Sequence, residues 1–389
     1  MFKRTQNKQL SYNKIIKNMR VAVNTRLLIE NELEGIGRFS YEILKELCEK
    51  NPNIQFDFIF DRPFSKKFLF AKNITGHILS PQARHPFLWY YWFEIRLPSL
   101  LKKIKPDVFL SLDGFICTST KIKQISVIHD INFEHYPKNL PFFHRKFYKF
   151  FFPKYAKKAN TIITVSNYSK EDIAKTYQVK KEKIHVIYNG VGNSFLPIQD
   201  AEKTKIKTSF SLGCDYFIFI GSLHKRKNIV NLLKGFDLYK KNTQSKTKLL
   251  IVGKKRWWSK EMKETYEKIH FTGDVLFTGY LKEEMLPKVI AAAKGLCFTS
   301  FFEGFGLPIV EAMKCGVPII TSNTSSMPEV CGEAGIQIDP NNVNEIANAI
   351  KKIENNKTVR EKLIKLGLER SKKFNWETAG KKLSDILNT

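Results

Sequence analysis

Gly295–Ala312 reads GLCFTSFFEGFGLPIVEA: an apolar run, a turn holding two glycines, and the start of a helix-like segment. A short apolar run bounded by turn residues predicts a buried strand over Gly295–Ser300. Gly304 and Gly306 permit close backbone approach and unusual torsions, and Pro308 suits the first turn of a helix. Such a strand-to-helix turn presents unpaired amides and a positive dipole end, a seat for phosphate or for polar sugar oxygens. Glu303 lies on the loop and Glu311 is read as lying within the first helical turn, so both can face one ligand. Carboxylates accept hydrogen bonds from vicinal hydroxyls, which sugars and riboses both offer. The structural alternative is a tight turn with a dipole-stabilising Glu.

Outward from this stretch the same beat repeats. Tyr216–Gly221, Lys248–Gly253, Val275–Gly279, Val317–Ser322 and Gly335–Asp339 are short apolar runs, most of them separated by helix-like stretches. Strands alternating with helices at that spacing predict a parallel sheet covered on both faces and doubly wound. The first half carries strand-like runs at Met19–Asn24, Ile54–Phe60, Asp107–Leu112, Ile125–Asp130, Thr161–Ser166 and Lys183–Asn189, and residues 197–213 read as a polar linker. The fold class is therefore α/β, with two Rossmann-like domains and one cleft between them. The N-terminal domain spans 1–200 and the C-terminal domain 201–374. In such sheets ligands bind beyond the carboxyl ends of the strands.

A length of 389 residues fits two such domains. The six cysteines form no CxxC pair, which predicts buried free thiols in a reducing compartment. Residues 1–18 are polar and basic, without the apolar core of a secretory signal. No uncharged run is long enough to span a membrane. The net charge of +28 is spread over both halves, with 33 Lys and Arg against 17 Asp and Glu in residues 1–200 and 32 against 20 after them. It favours anionic partners (phosphates, acidic lipids or nucleic acid) without choosing among them, and a general lysine bias accounts for it equally well.

Two further constellations lie just after strand-like runs. Gly221-Ser-Leu-His-Lys-Arg-Lys-Asn228 puts cations at a strand-to-helix turn, where they can neutralise a diphosphate, or form an ordinary solvated charge run. His129-Asp130 closes the run from Ile125, where a His can hydrogen-bond a sugar hydroxyl. Gly35-Ile-Gly37-Arg38, preceded by Glu34, is a glycine loop or a plain turn.

The setting Ser300-Phe-Phe-Glu-Gly-Phe-Gly-Leu-Pro308, with Glu311 eight residues after Glu303, resembles the signature of family 4 retaining glycosyltransferases of GT-B fold. The resemblance runs from Met19 to Asn375-Trp376. It implies that Glu303 holds hydroxyls of the donor sugar with Gly304 and Phe305, that Glu311 binds the nucleotide ribose, and that the amides of Gly306 and Leu307 serve the diphosphate. Arg226 and Lys227 would grip that diphosphate, although many members carry another Arg where this chain has Ser222. Gly37 would lie near the donor phosphate, His129 at the donor hexose as a catalytic group, and Asp130 and Arg38 on the acceptor side. Gly253, Phe277, Gly279 and Tyr280 would approach the nucleobase. The final helix, 375–389, would pack back on the first half. The implied reaction transfers a hexose from a nucleotide-diphosphate sugar to a glycan or lipid-linked acceptor in surface polysaccharide synthesis. No cofactor is implied beyond that substrate, and no metal, since no Asp-x-Asp stands in a suitable loop. A sugar-nucleotide epimerase or a phosphorylase shares the two-domain fold, and a basic nucleic-acid-binding protein would explain the charge but leave Glu303 and Glu311 idle.

Phe142–Lys158 (FFHRKFYKFFFPKYAKK) interleaves aromatics with cations. It fits an anionic membrane interface, a single-stranded nucleic acid, or a core helix with a basic outer face. Phe87–Leu101 is a second aromatic segment, lining the acceptor side or filling the core. The expected location is the cytoplasm, at the inner face of the membrane.

Overall fold

The computed structural model describes residues 19–30, 33, 35–255 and 258–389. Glu34 and the basic leader 1–18 lie outside the described residues. The chain splits into two compact units, one comprising the described residues up to Asn189 together with Trp376–Thr389, the other Gly190–Asn375. Each is an all-parallel sheet with helical connections.

In the first unit the strands are β1 (Arg20–Asn24), β2 (Gln55–Phe60), β3 (Ile74–Ile78), β4 (Val108–Ser111), β5 (Lys123–Val127), β6 (Thr161–Thr164) and β7 (Ile184–Val186), arranged β3-β2-β1-β4-β5-β6-β7. The second unit holds β8 (Tyr216–Ile220), β9 (Lys248–Val252), β10 (Val275–Gly279), β11 (Gly295–Phe298), β12 (Ile319–Ser322) and β13 (Gly335–Ile338), arranged β10-β9-β8-β11-β12-β13. Both orders are those of a Rossmann sheet, whose direction of growth reverses beside the first strand. Tyr-Phe-Ile-Phe-Ile of β8 is buried at all five positions, as a strand covered on both faces requires.

Helices Ile229–Thr243 and Val343–Asn355 pack together on the second sheet, so closely at Gly235 that a Cβ there would meet Ile346 at 2.6 Å. The polar stretch read as a linker is instead the helix Asp200–Ser211, anchored in the second unit by buried Ile206. The last helix, Trp376–Leu387, belongs to the first unit. It packs on Ile36–Lys50, with Lys50 paired to Glu377 at 3.0 Å and Ser384 donating to Asn51 at 2.9 Å. Five of the six cysteines are buried, and Cys214 is half-buried. Among the described residues no helix is long and apolar enough to cross a membrane.

Candidate active site

The reversal in the second sheet falls between β8 and β11, which are hydrogen-bonded neighbours. The loops leaving their carboxyl ends, 221–228 and 299–306, therefore lie side by side although some 75 residues separate them in sequence. After β8 the chain makes a single tight turn over Lys225–Lys227, headed by His224, whose Nδ1 accepts from the Arg226 amide at 3.3 Å. Asn228 then takes a left-handed conformation, φ 58°, and its amide group donates to the carbonyls of Thr299 at 3.0 Å and Pro340 at 2.6 Å. The bond to Thr299, with Phe301 donating to the Arg226 carbonyl at 2.9 Å, fastens the basic turn to the β11 loop, and the bond to Pro340 ties it to the loop after β13.

Both cations reach one carboxylate. Lys227 Nζ is 2.6 Å from Glu303 Oε1, and Arg226 Nη1 is 3.0 Å from Glu303 Oε2. Arg226 also donates to the Phe302 carbonyl, and the Lys227 ammonium lies 5.0 Å from the centre of the Phe298 ring. Lys227 and Glu303 are both buried. Burial alone would raise the Glu303 pKa; the adjacent Arg226 and Lys227 charges more than offset it and hold the group at about 2. Glu303 is thus ionised at any physiological pH. One carboxylate against two cations leaves this corner with an excess positive charge suited to a phosphate.

The loop that carries Glu303 is clamped by three consecutive hydroxyls from the turn after β12. Thr324 Oγ1 donates to the Phe301 carbonyl at 3.0 Å, and Ser325 Oγ accepts from the Glu303 amide at 3.0 Å. Buried Ser326 donates to the carbonyls of Glu303 and Phe305, at 2.8 and 3.0 Å. Ser325 is held at φ 53°, a strained conformation for a residue with a side chain. None of these three was singled out by sequence reading. Replacing Ser326 by Ala removes the one hydroxyl proton shared by these two carbonyls, with an expected loss of about 1–3 kcal/mol of stability and a several-fold fall in turnover as Glu303 shifts. Thermal melts and steady-state rates measured together check this; an unchanged rate in a destabilised variant would confine the clamp to folding.

Gly306, at φ 97°, heads the helix Leu307–Lys314, with Pro308 in its first turn, and the leading amides of a helix have no partner inside it. Glu311, however, is the fifth residue of that helix and not in its first turn, which contains no acidic residue. The macrodipole reading of Glu311 therefore falls away. It remains a buried carboxylate beyond the strand end. Phe305 is buried and packs edge-on against Phe374 at 5.6 Å, and Gly304 is buried beside it.

The residues expected at the base lie in β10 and just beyond β9 and β10. Gly253 and Gly279 meet at the ends of β9 and β10, where the Gly253 amide donates to the Gly279 carbonyl at 2.9 Å. Only glycine fits at 253, since a Cβ would stand 2.0 Å from the Gly221 carbonyl oxygen. Tyr280 follows as an exposed ring with the Lys254 ammonium 4.8 Å from its centre. Phe277, two residues before Gly279 in β10, is half-buried, edge-on to Trp258 and Tyr266, both at 5.4 Å, with the Lys255 ammonium 3.9 Å from its ring centre.

His129, Asp130, Gly37 and Arg38 belong to the first unit. His129 lies two residues past β5, its Nε2 2.9 Å from the Leu112 carbonyl. A carbonyl can only accept, so Nε2 carries the hydrogen and Nδ1 is the acceptor of the neutral ring. Burial lowers the pKa of this imidazole, which also meets the Phe39 ring at 4.6 Å. Asp130 accepts from both the backbone and the side chain of Asn132. Gly37 and Arg38 stand in the first turn of Ile36–Lys50, and a Cβ on Gly37 would meet the Leu27 carbonyl at 2.7 Å. The first sheet reverses between β1 and β4, and a polar group beyond those strands escaped sequence reading. Asp113 accepts from Arg26 at 2.6 Å and from Asn24 at 2.9 Å, an ion pair almost wholly buried.

Comparison with known proteins supplies the family. The family model Glycosyltransferase Family 4 matches residues 33–194, and Glycosyl transferases group 1 matches residues 200–370. The O-antigen chain mannosyltransferase B of Escherichia coli is 28% identical over 359 residues, covering 90% of this chain and 94% of that one. The O-antigen chain mannosyltransferase RfbU of Salmonella typhimurium is 28% identical over 290 residues, 72% of this chain and 75% of its own. Among solved structures, a sucrose-phosphate synthase from Thermosynechococcus elongatus superposes with a TM-score of 0.74 at 18% identity, over 95% of this chain and 98% of that one. Anabaena HepE, in complex with UDP and glucose, does so with a TM-score of 0.74 at 16% identity, over 95% and 99%. The two Rossmann-like sheets, their strand order and these matches agree: the chain belongs to the family 4 glycosyltransferases of GT-B fold.

Proposed function

We propose that this glycosyltransferase moves a hexosyl group from a nucleoside diphosphate sugar to a hydroxyl of a glycan or lipid-linked acceptor, with retention of anomeric configuration. The observation that carries the reading is the cluster of half-buried Arg226 with buried Glu303 and Lys227 at the switch point of the second sheet. The names of the two O-antigen relatives support a mannosyl donor and a surface polysaccharide product; we place the reaction in the cytoplasm, at the inner face of a membrane.

In this reading Arg226, Lys227 and the amides of Gly306 and Leu307 hold the diphosphate, so charge developing on the leaving oxygen meets preorganised donors. Gly37, in the first unit, keeps the donor-phosphate role that the family resemblance implies. Glu303, with Gly304 and Phe305 around it, accepts from hydroxyls of the donor sugar, and Glu311 takes the ribose. Gly253, Gly279 and Tyr280 form the edge offered to the base. The bond from the anomeric carbon to the diphosphate oxygen breaks while the acceptor oxygen bonds to that carbon on the same face. The departing oxygen takes the acceptor's proton, giving glycoside and nucleoside diphosphate. His129 offers its Nδ1 as a neutral acceptor to the hexose, and Asp130 and Arg38 serve the acceptor side. Two fixed cations supply the charge that a metal ion provides elsewhere.

Incubation with a panel of uridine, guanosine and adenosine diphosphate hexoses tests the whole reading. One donor is expected to yield product whose one-bond C1–H1 coupling at the anomeric centre reports the donor's own configuration. Inversion would overturn the front-face mechanism, and silence with every donor, as transfer and as hydrolysis, would overturn the donor assignment.

A further inference from the structure

We infer that the first unit carries a docking face for an anionic lipid bilayer, built from two segments that sequence reading took one at a time. Helix Phe142–Lys158 spends Phe147, Phe152, Tyr155 and Ala156 on the core. The segment Pro86–Arg96 likewise buries Trp89, Trp92 and Phe93, and Trp89 meets Phe147 at 5.2 Å and Phe115 at 5.3 Å. The core reading of these segments thus accounts for their inner rows. It leaves an outer row unexplained: Phe87 is 69% exposed, and Phe142, Phe143 and Phe150 are each 55–56% exposed.

These outer rings are one surface. Phe87 and Phe143 stand 6.0 Å apart across the two segments, Phe142 and Phe143 5.5 Å apart, and Tyr90 reaches Phe151 at 6.0 Å. A cluster of exposed aromatic rings on a soluble domain marks an interaction site.

The charges choose the partner. Helix Phe142–Lys158 contains Arg145, Lys146, Lys149, Lys154, Lys157 and Lys158 and no acidic residue. Lys154 lies 3.4 Å from the centre of the Phe150 ring, and Arg145 and Lys146 each lie 5.6 Å from that of Phe142. The one carboxylate in Pro86–Arg96, Glu94, accepts from the Thr118 hydroxyl at 2.7 Å and is near enough to Lys154 to feel its charge, so the cations of the helix outnumber it. Cations interleaved with rings suit a headgroup region, where ammonium and guanidinium groups meet phosphates and rings sink to the acyl boundary. A second copy of the chain would bring like charges face to face. The face is also tied to the strand ends of its own sheet: the Trp89 indole and Arg26 both donate to the Ala83 carbonyl, at 2.7 and 3.1 Å. This face deepens the inner-membrane placement proposed above, and it stands or falls apart from the donor assignment.

The test is co-sedimentation of the full chain with vesicles of equimolar phosphatidylglycerol and phosphatidylcholine, and with phosphatidylcholine alone. Binding is expected only to the first, weakening as salt is raised. The Phe142→Ser, Phe143→Ser, Phe150→Ser triple variant should bind at least about tenfold more weakly, with unchanged melting and transfer to a water-soluble acceptor within about twofold. No binding by the wild-type chain, or equal binding by the triple variant, would overturn the inference. So would a loss in the variant of self-association or of binding to a single-stranded RNA oligomer in place of vesicle binding. Lost transfer to the soluble acceptor would assign these rings to the active site and overturn it too. Vesicle binding without transfer from any donor would instead count against the proposed reaction and leave the docking face standing.

Discussion

Exchanging Glu303 for Gln is expected to lower turnover by about 100- to 1,000-fold while nucleoside diphosphate binding survives or tightens. The isostere keeps the shape of the side chain but removes the counter-charge of Arg226 and Lys227, which lie 3.0 and 2.6 Å from its oxygens. Freed of that carboxylate, both cations are available to a diphosphate. The sugar, in contrast, loses its charged acceptor, so the transition state suffers more than the product complex. Steady-state rates and calorimetric titration with the diphosphate separate these effects. Unchanged turnover would sink the site assignment; lost diphosphate binding would make Glu303 chiefly the residue that holds the cations in place.

The same residue gives a pH expectation with a definite sign. Its pKa in the folded chain is about 2, below the ordinary 4.5. A depressed carboxylate pKa stabilises the fold fully above the unfolded value, so the contribution is complete above about pH 4.5 and lost as the pH falls toward 2. The Gln variant lacks that component of acid destabilisation.

Much of this arrangement was legible because parallel strands buried on both faces are written as unbroken apolar runs. Tyr216–Ile220 and Gly295–Phe298 stand out for that reason, and the switch-point rule then directs attention to the residues just after them. Where burial is one-sided the signal fails. β3, Ile-Thr-Gly-His-Ile, has only Ile74 fully buried, because it is the edge strand, and it was missed. The helix Asp200–Ser211 buries little besides Ile206 and passed for a linker. Glu311 reads as a first-turn residue, but Gly306 caps the helix and Leu307 already begins it, which makes Glu311 its fifth residue. The clamp of Thr324, Ser325 and Ser326 leaves no mark at all, since its partners are backbone carbonyls and an amide, which have no letter in the sequence. The Asp113–Arg26 pair joins residues 87 apart and becomes visible only once β1 and β4 are neighbours. Side chains that act on backbone across a sheet are the part a single sequence hides.

Lys227 separates charge from position, and its variants carry the second large effect. Lys227→Met keeps an unbranched apolar stem against the Phe298 ring and removes only the ammonium, so turnover is expected to fall about 100-fold. Glu303 would then keep Arg226 alone as its cation, and its pKa must rise from about 2 because the burial that opposes ionisation remains while one opposing charge is gone. The acid limb of the kcat/KM profile therefore moves to higher pH in Lys227→Met; an unmoved limb would show that Lys227 does not set the ionisation of Glu303. Lys227→Arg is not expected to restore activity. The native stem is buried, with its Cε only 3.6 Å from where a Cβ on Gly221 would stand, and a planar guanidinium needs room for five donors where an ammonium needs a point. Full rescue by Arg would mean that net charge, and not the position of the ammonium beside Glu303, is what the reaction uses.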